Sequence, residues 1–101
     1  MESLNRTLLV FNAFAKGGEG VVAPFSLKIL SPINTDEGDS YCAVICPYFR
    51  EKPFEIFGAD GAQACELAID FIRQMLEGQA ELVDADGKSM ELPEIKWDEP
   101  V

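Results

Sequence analysis

The residues that could do chemistry in this 101-residue chain are carboxylates and thiols, because the sequence contains no histidine. Without imidazole there is no Ser-His or Cys-His nucleophile pair, no histidine-ligated zinc, and no general base of the commonest kind. Two carboxylate pairs remain, Asp84 with Asp86 and Glu66 with Asp70. Acid–base catalysis needs one carboxyl group of a pair to be desolvated so that its pKa rises, and nothing in the sequence places either pair in an apolar pocket. The sequence therefore predicts a non-enzymatic protein with no cofactor and no metal site.

The thiols belong to three cysteines, Cys42, Cys46 and Cys65. Cys42 and Cys46 are four residues apart in a predicted strand, so their side chains share a face but lie about 13 Å apart. A disulfide needs Cα atoms within roughly 7 Å, so an unbroken strand cannot bridge these two. Cys65 falls on the apolar side of a predicted helix. We interpret all three as small core residues, and their odd number favours a reducing, cytoplasmic compartment.

The charge of the chain is strongly acidic, with 18 acidic residues against 8 basic ones and a formal net charge of −10. Such a surface repels nucleic acids and anionic membranes, and it attracts a basic protein. The excess is greatest from Glu77 onward, where eight acidic residues stand against two lysines. We predict that a basic partner binds this last quarter through six residues: Glu81, Asp84, Asp86, Glu91, Glu94 and Trp97.

The N-terminus resembles a secretion signal only superficially. Arg6 precedes the apolar run Leu8–Phe11, but Asn12 ends that run early and Glu2 disrupts the basic start. No signal peptide is predicted, and no apolar segment is long enough to cross a membrane.

A long helix is predicted from Asp60 to Glu77, and the other elements are arranged around it. Asp60 can cap its first turn with Gln63 as the partner of a capping box, and Gly78 suits the residue that ends it. At about 100° per residue, apolar side chains cover an arc of roughly 200°. That arc contains Ala64, Cys65, Leu67, Ala68, Ile69, Phe71, Ile72, Met75 and Leu76.

Strands are predicted before and after this helix, at residues 6–14, 21–31, 41–49 and 54–57, with a small hairpin over 80–92. Pro24 marks an edge strand or a bulge, and segment 41–49 is apolar on both faces, which is typical of a central strand. Short connections favour an antiparallel sheet. The predicted fold is α+β: an antiparallel sheet of four to five strands with one helix on one face. The chain forms a single domain over 1–101, with an extended acidic tail over 93–101.

The predicted sheet has a second face, away from the helix. We expect Leu9, Phe11, Ala13, Val22 and Leu30 on that face. The C-terminal hairpin with Trp97, or a second copy of the chain, could cover it, and we predict a homodimer.

A motif of the form G-x-D-x-x-Q-A-x-x-L-A opens the helix at Gly58–Ala68, after an aromatic-x-x strand that contains Cys42. With these features, residues 41–76 resemble a family of small bacterial domains of unknown function. The resemblance implies the fold and carries no site residue. In size and charge the chain is also similar to bacterial immunity proteins, which neutralise toxins.

These observations lead to two hypotheses about function. The first is a non-enzymatic protein-interaction module, immunity-like, that binds a basic partner. The alternative is a small-ligand-binding domain or enzyme with a pocket between helix and sheet, because the wide apolar arc of the helix could line such a pocket.

Overall fold

The computed structural model describes residues 6–95, which form an antiparallel sheet with one helix packed on it. In chain order the elements are β1 (Thr7–Gly17), β2 (Val22–Leu30), β3 (Ile33–Asn34), β4 (Ser40–Ile45), β5 (Phe54–Gly58), α1 (Gly61–Leu76) and β6 (Ala80–Val83). The predicted α+β class is confirmed. The sheet contains one strand more than expected, because the two-residue β3 follows a break in β2 at Ser31 and Pro32. Of the predicted tail, residues 96–101, which include Trp97, lie outside the described residues.

Strand β4 is an interior strand of the sheet, as the apolar segment 41–49 predicted. It pairs with β2 and β3 along one edge and with β5 along the other. Strand β1 pairs with β2 and, on its far side, with β6. The spatial order is therefore β5, β4, β2 with β3, β1 and β6. Helix α1 links the β5 edge to the β6 edge, and it packs mainly on β4 and β5.

Three turns share one geometry, at Gly17–Val21, Thr35–Asp39 and Asp84–Lys88. In each, the N–H of the first residue donates to the carbonyl of the fifth at 2.8 Å. The fourth residue of each is a glycine with positive φ: Gly20, Gly38 and Gly87. This three-residue loop needs a left-handed fourth residue, which glycine adopts without strain. The predicted turn after Val83 is thus confirmed. The segment that follows the turn makes only an isolated β-bridge, in which Ser89 pairs with Val83.

Pro24 lies on an open side of β2, although β2 as a whole is an interior strand and not the predicted edge strand. Its pairing partner on β1 is Phe14, whereas the pairing of β2 with β4 is confined to Lys28 and Ile29. Hydrogen-bonded and non-hydrogen-bonded pairs alternate along an antiparallel ladder. Counting from the hydrogen-bonded pair Gly17–Val21, Phe14–Pro24 is a non-hydrogen-bonded pair. The N–H that proline lacks therefore falls on the open side of β2, where its absence costs no ladder bond and discourages edge-to-edge pairing.

The core lies between the sheet and the layer formed by α1. Alternate residues of β2 and β4 meet the inner side of the helix, and the buried set includes Phe25, Leu27, Ile29, Cys42, Val44, Ala64, Ala68 and Ile72. The ring of Phe25 stands 5.5 to 6.3 Å from the rings of Phe11, Tyr48 and Phe49. These aromatic contacts attach the β4–β5 connection to the long β1–β2 hairpin.

The predicted assignment of β1 to the outer face was wrong for three residues. Ala13 is the cross-strand partner of buried Phe25, and Phe11 is the partner of buried Leu27, so both face the core, as does Leu9. Cross-strand partners share a face of the sheet. Because β1 is apolar on both sides, its alternation did not indicate which side turns inward. Val22 and Leu30 do lie on the outer face.

Helix α1 begins and ends where the capping residues predicted. The carboxylate of Asp60 accepts the N–H of Gln63 at 2.9 Å, and the Gln63 side chain accepts the N–H of Ala59 at 2.6 Å. Gly78 follows with a positive φ of 78°. The apolar arc is narrower than predicted, because Leu67 points outward and is 39% exposed.

Candidate functional site

The carboxylates predicted to bind a partner lie on both sides of the sheet. Glu81 points to the outer face, opposite Lys16 on β1, and accepts a hydrogen bond from the Ser89 hydroxyl. Its neighbour Leu82 faces the core. Asp86 is exposed in the turn after β6. Glu91 and Glu94 lie on the side of α1. The structure therefore brings Glu91 and Glu94 near each other and separates Glu81 from them.

Asp84 has a structural role in its turn. One of its carboxylate oxygens accepts the backbone N–H of Asp86 at 2.8 Å and that of Lys88 at 2.9 Å. Replacing Asp84 would remove the acceptor that holds this turn, so a binding defect of such a variant would not report on a partner contact alone.

Residues 90–95 run beside α1 and complete the core. The N–H of Met90 donates to the carbonyl of Leu82 at 2.8 Å, and the side chains of Met90, Leu92 and Ile95 pack against the buried cluster. The space between this segment and the helix forms a groove, which we call the acidic groove.

Two adjoining concavities make up the acidic groove, and both include Arg73. The first has a volume of about 280 Å³ and is lined by Arg73, Leu76, Glu77, Ala80, Leu82, Met90, Glu91 and Leu92. The second has a volume of about 230 Å³ and is lined by Glu66, Ile69, Asp70, Arg73, Glu94 and Ile95. The groove thus has an apolar floor and a charged rim.

The rim of the groove is acidic. Five carboxylates line it, those of Glu66, Asp70, Glu77, Glu91 and Glu94. The single guanidinium, on Arg73, lies 2.6 Å from an Asp70 oxygen, and both side chains are about half exposed. That ion pair leaves the other four carboxylates without a cation among the residues lining the groove. The arrangement suits a segment that carries both apolar and cationic side chains.

Sequence reasoning found half of this site. Glu91 and Glu94 were predicted as partner contacts, whereas Glu66 and Asp70 were weighed only as a catalytic pair. The helix spacing already places residues 66, 70, 73 and 77 along one face, the polar strip of α1. No local signal indicates that residues 90–95 run beside this strip. Among residues 6–95, no cluster of three or more potential ligands suits a metal ion.

The buried thiols form the second chemically notable group. The sulfur atoms of Cys42 on β4 and Cys65 on α1 lie 3.6 Å apart in the core. The pKa of Cys42 is raised far above its ordinary range. The largest cause is the hydrogen bond with the Cys65 thiol, and the next is burial. Burial also raises the pKa of Cys46, although the N–H groups of Tyr48 and Phe49 oppose this shift. Both thiols are therefore poor nucleophiles at neutral pH.

We expect Cys42 and Cys46 to resist alkylation in the folded protein. A raised pKa keeps each thiol protonated as the pH increases, so incubation with iodoacetamide should leave both unmodified even at about pH 9, where an ordinary thiol reacts readily. Intact-mass spectrometry measures the extent of reaction, and the same chain in denaturant, where all three cysteines should react, is the control. Rapid labelling of the folded chain at Cys42 or Cys46 would show that these thiols are accessible.

Comparisons with known proteins give no relative on which to base a function. The chain matches no protein-family model, and it has no significant match among curated proteins or solved structures. None of the helices in the described part of the chain is long and apolar enough to cross a membrane. The surfaces of the molecule are therefore the basis for inferring its function.

Proposed function

We propose that this protein is a non-enzymatic interaction module that binds a basic, amphipathic segment of another protein in the acidic groove. One observation carries the proposal: five carboxylates and a single, already paired guanidinium surround an apolar floor. Apolar side chains of the partner would cover the half-buried Met90, Leu92 and Ile95. Lysine or arginine side chains would extend to the carboxylates on both walls.

The dimensions of the groove define the kind of segment that fits. From Glu66 to Glu77 the helix rises by roughly 16 Å, at about 1.5 Å per residue. A partner helix of about three turns, or an extended segment of about five residues, spans that length. An amphipathic helix laid into a groove presents apolar residues at i, i+3 and i+4, with its basic residues at the flanks.

The expected binding is moderate and sensitive to salt. Each exposed ion pair contributes about 0.2–1 kcal/mol, so the four unpaired carboxylates steer and orient the partner more than they hold it. Added salt screens these pairs and weakens the complex. Burial of the apolar floor supplies the part of the affinity that salt does not reduce.

The proposal extends to the setting of the interaction. Buried thiols suit a reducing cytoplasm, and the net charge of −10 disfavours nucleic acid and anionic membranes as partners. A basic bacterial toxin is one partner of the required chemistry, by analogy with immunity proteins of similar size and charge. A second copy of the chain is a candidate for another surface, the sheet face turned away from α1.

The test is binding of a fluorescent amphipathic peptide of lysine and leucine, followed by anisotropy. Replacing Glu66, Glu91 and Glu94 together by glutamine should weaken binding about tenfold, because three surface ion pairs are worth about 1.5 kcal/mol. The matched control replaces Asp36 by asparagine and Glu37 and Glu51 by glutamine. These three acids are exposed in other turns, so the net charge changes equally and the affinity should change by less than about threefold.

Equal losses in the two triple variants would mean that overall charge, and not the groove, attracts the peptide. That result would favour the alternative function, binding of a small ligand. The 280 Å³ half of the groove is the site we would assign to such a ligand. A thermal-shift screen with metabolites and divalent metals examines that alternative directly, because a ligand that binds only the folded chain raises its melting temperature.

A further inference from the structure

The face of the sheet opposite α1 carries large apolar side chains that are exposed to solvent. Val10 on β1 is 59% exposed and Phe57 on β5 is 50% exposed. Between them lie half-buried Leu30, Tyr41 and Ile45. The rings of Tyr41 and Phe57 stand 5.2 Å apart. We call these five residues, with the charged residues interspersed among them, the open sheet face.

The open sheet face is electrically neutral although the protein is not. Its charged residues are Lys28 and Glu55, one of each sign. Lys16 and Glu81, which are direct cross-strand partners, lie on the same side of the sheet but at the far end of β1. The whole net charge of −10 therefore resides on the remaining surface. A basic partner has no electrostatic reason to choose this face.

Lys28 and Glu55 flank β4 on this face. Lys28 on β2 is the partner of Ile45, and Glu55 on β5 is the partner of Ala43, two residues along β4. Within one chain they are two strands apart, and no ion pair joins them in the described part of the chain. A two-fold axis along β4 would bring Lys28 of each copy to the same side as Glu55 of the other, two residues apart along the strands, with Tyr41 and Ile45 at the axis.

We propose that the open sheet face binds a second copy of this chain, sheet against sheet, about such an axis. Sheets pack face to face about 10 Å apart, which lysine and glutamate side chains can span between layers. A two-fold interface must be self-complementary, and the neutral face with one unpaired charge of each sign meets that condition.

The proposed dimer has a distinctive dependence on salt. Two chains of net charge −10 repel each other, and the repulsion is screened as ionic strength rises. The apolar contact itself is not weakened by screening. Added salt should therefore tighten the dimer, whereas it weakens peptide binding in the acidic groove. Because salt has opposite effects on dimerisation and on peptide binding, the two proposals can be tested separately. Neither proposal depends on the other.

Sedimentation velocity of the full chain over a dilution series, from about 0.05 to about 0.5 M salt, measures the dimer. Phe57→Ser should raise the dissociation constant at least about tenfold, because it removes an aromatic anchor near the centre of the interface. The matched control is Leu67→Ser, which removes an exposed apolar side chain from the outer side of α1 and should change the constant by less than about twofold. Circular dichroism confirms that each variant is folded.

Charge exchange tests the two-fold register. Lys28→Glu and Glu55→Lys alone each place like charges together and should weaken the dimer about tenfold, whereas the double variant should restore it. A chain that stays monomeric at all salt concentrations overturns the proposal. So does a dimer that Phe57→Ser leaves intact, or a double variant no better than either single one.

Discussion

Gly58→Ala is expected to lower the free energy of unfolding by about 2–3 kcal/mol, although it adds only one methyl group. A Cβ atom at Gly58 would lie 2.6 Å from the backbone nitrogen of Ala64 and 2.9 Å from the backbone carbon of Gln63. These atoms belong to the first turn of α1, which Ala64 and Ala68 anchor in the core. The helix would have to move away from β5, so the whole interface would be strained. In thermal unfolding, the melting temperature should fall by about 10 °C or more.

Gly18→Ala is the matched control for this prediction. A Cβ at Gly18 meets no atom within 4 Å, and Gly18 has no positive φ. Its substitution should leave the melting temperature within about 2 °C of the original. Equal effects of the two substitutions would mean that the close approach of strand and helix at Gly58 is not a constraint on the fold.

Phe25→Ala is expected to have the largest effect on stability, about 3–5 kcal/mol. Phe25 is 1% exposed, and its ring contacts those of Phe11, Tyr48 and Phe49. Its removal leaves a cavity where the β1–β2 hairpin meets the β4–β5 connection. A domain of this size has a free energy of unfolding of about 5–15 kcal/mol, so the substitution would remove a large part of it. Urea denaturation measures the change.

The control for Phe25 is the same substitution at Phe57, which is half exposed on the open sheet face. In dilute protein, where self-association is suppressed by mass action, Phe57→Ala should cost about 1 kcal/mol or less. A cost for Phe25→Ala as small as that for Phe57→Ala would contradict the placement of Phe25 at the centre of the core.

The elements of this fold could be read from local signals. Asp60, Gln63 and Gly78 marked the ends of α1, because capping depends on neighbours in the chain. Pro24 marked an open side of β2, because its missing N–H cannot donate to a ladder. The apolar run around Cys42 and Val44 indicated a strand buried between two others. Each of these is a property of one short segment, so the sequence carries it directly.

The inward face of β1 could not be predicted in the same way. Leu9, Phe11 and Ala13 alternate with Val10 and Phe14, and both sets are apolar. Only the register with β2, which pairs Ala13 with Phe25, determines which set is buried. Leu67 shows the same limit, because a helix exposes the part of its apolar arc that the sheet does not reach.

By itself, the sequence determined the α+β class, the limits of the long helix, the interior strand around Cys42, the open side of β2 at Pro24, and a chain with no histidine and a charge of −10. The tertiary structure decided which surfaces those residues form. It placed Cys65 against Cys42, joined the polar strip of α1 with Glu91 and Glu94 into one groove, and separated Glu81 from them across the sheet. The physical reason is that capping, turns and strand type depend on neighbouring residues, whereas a site depends on the packing of elements that are distant in the chain.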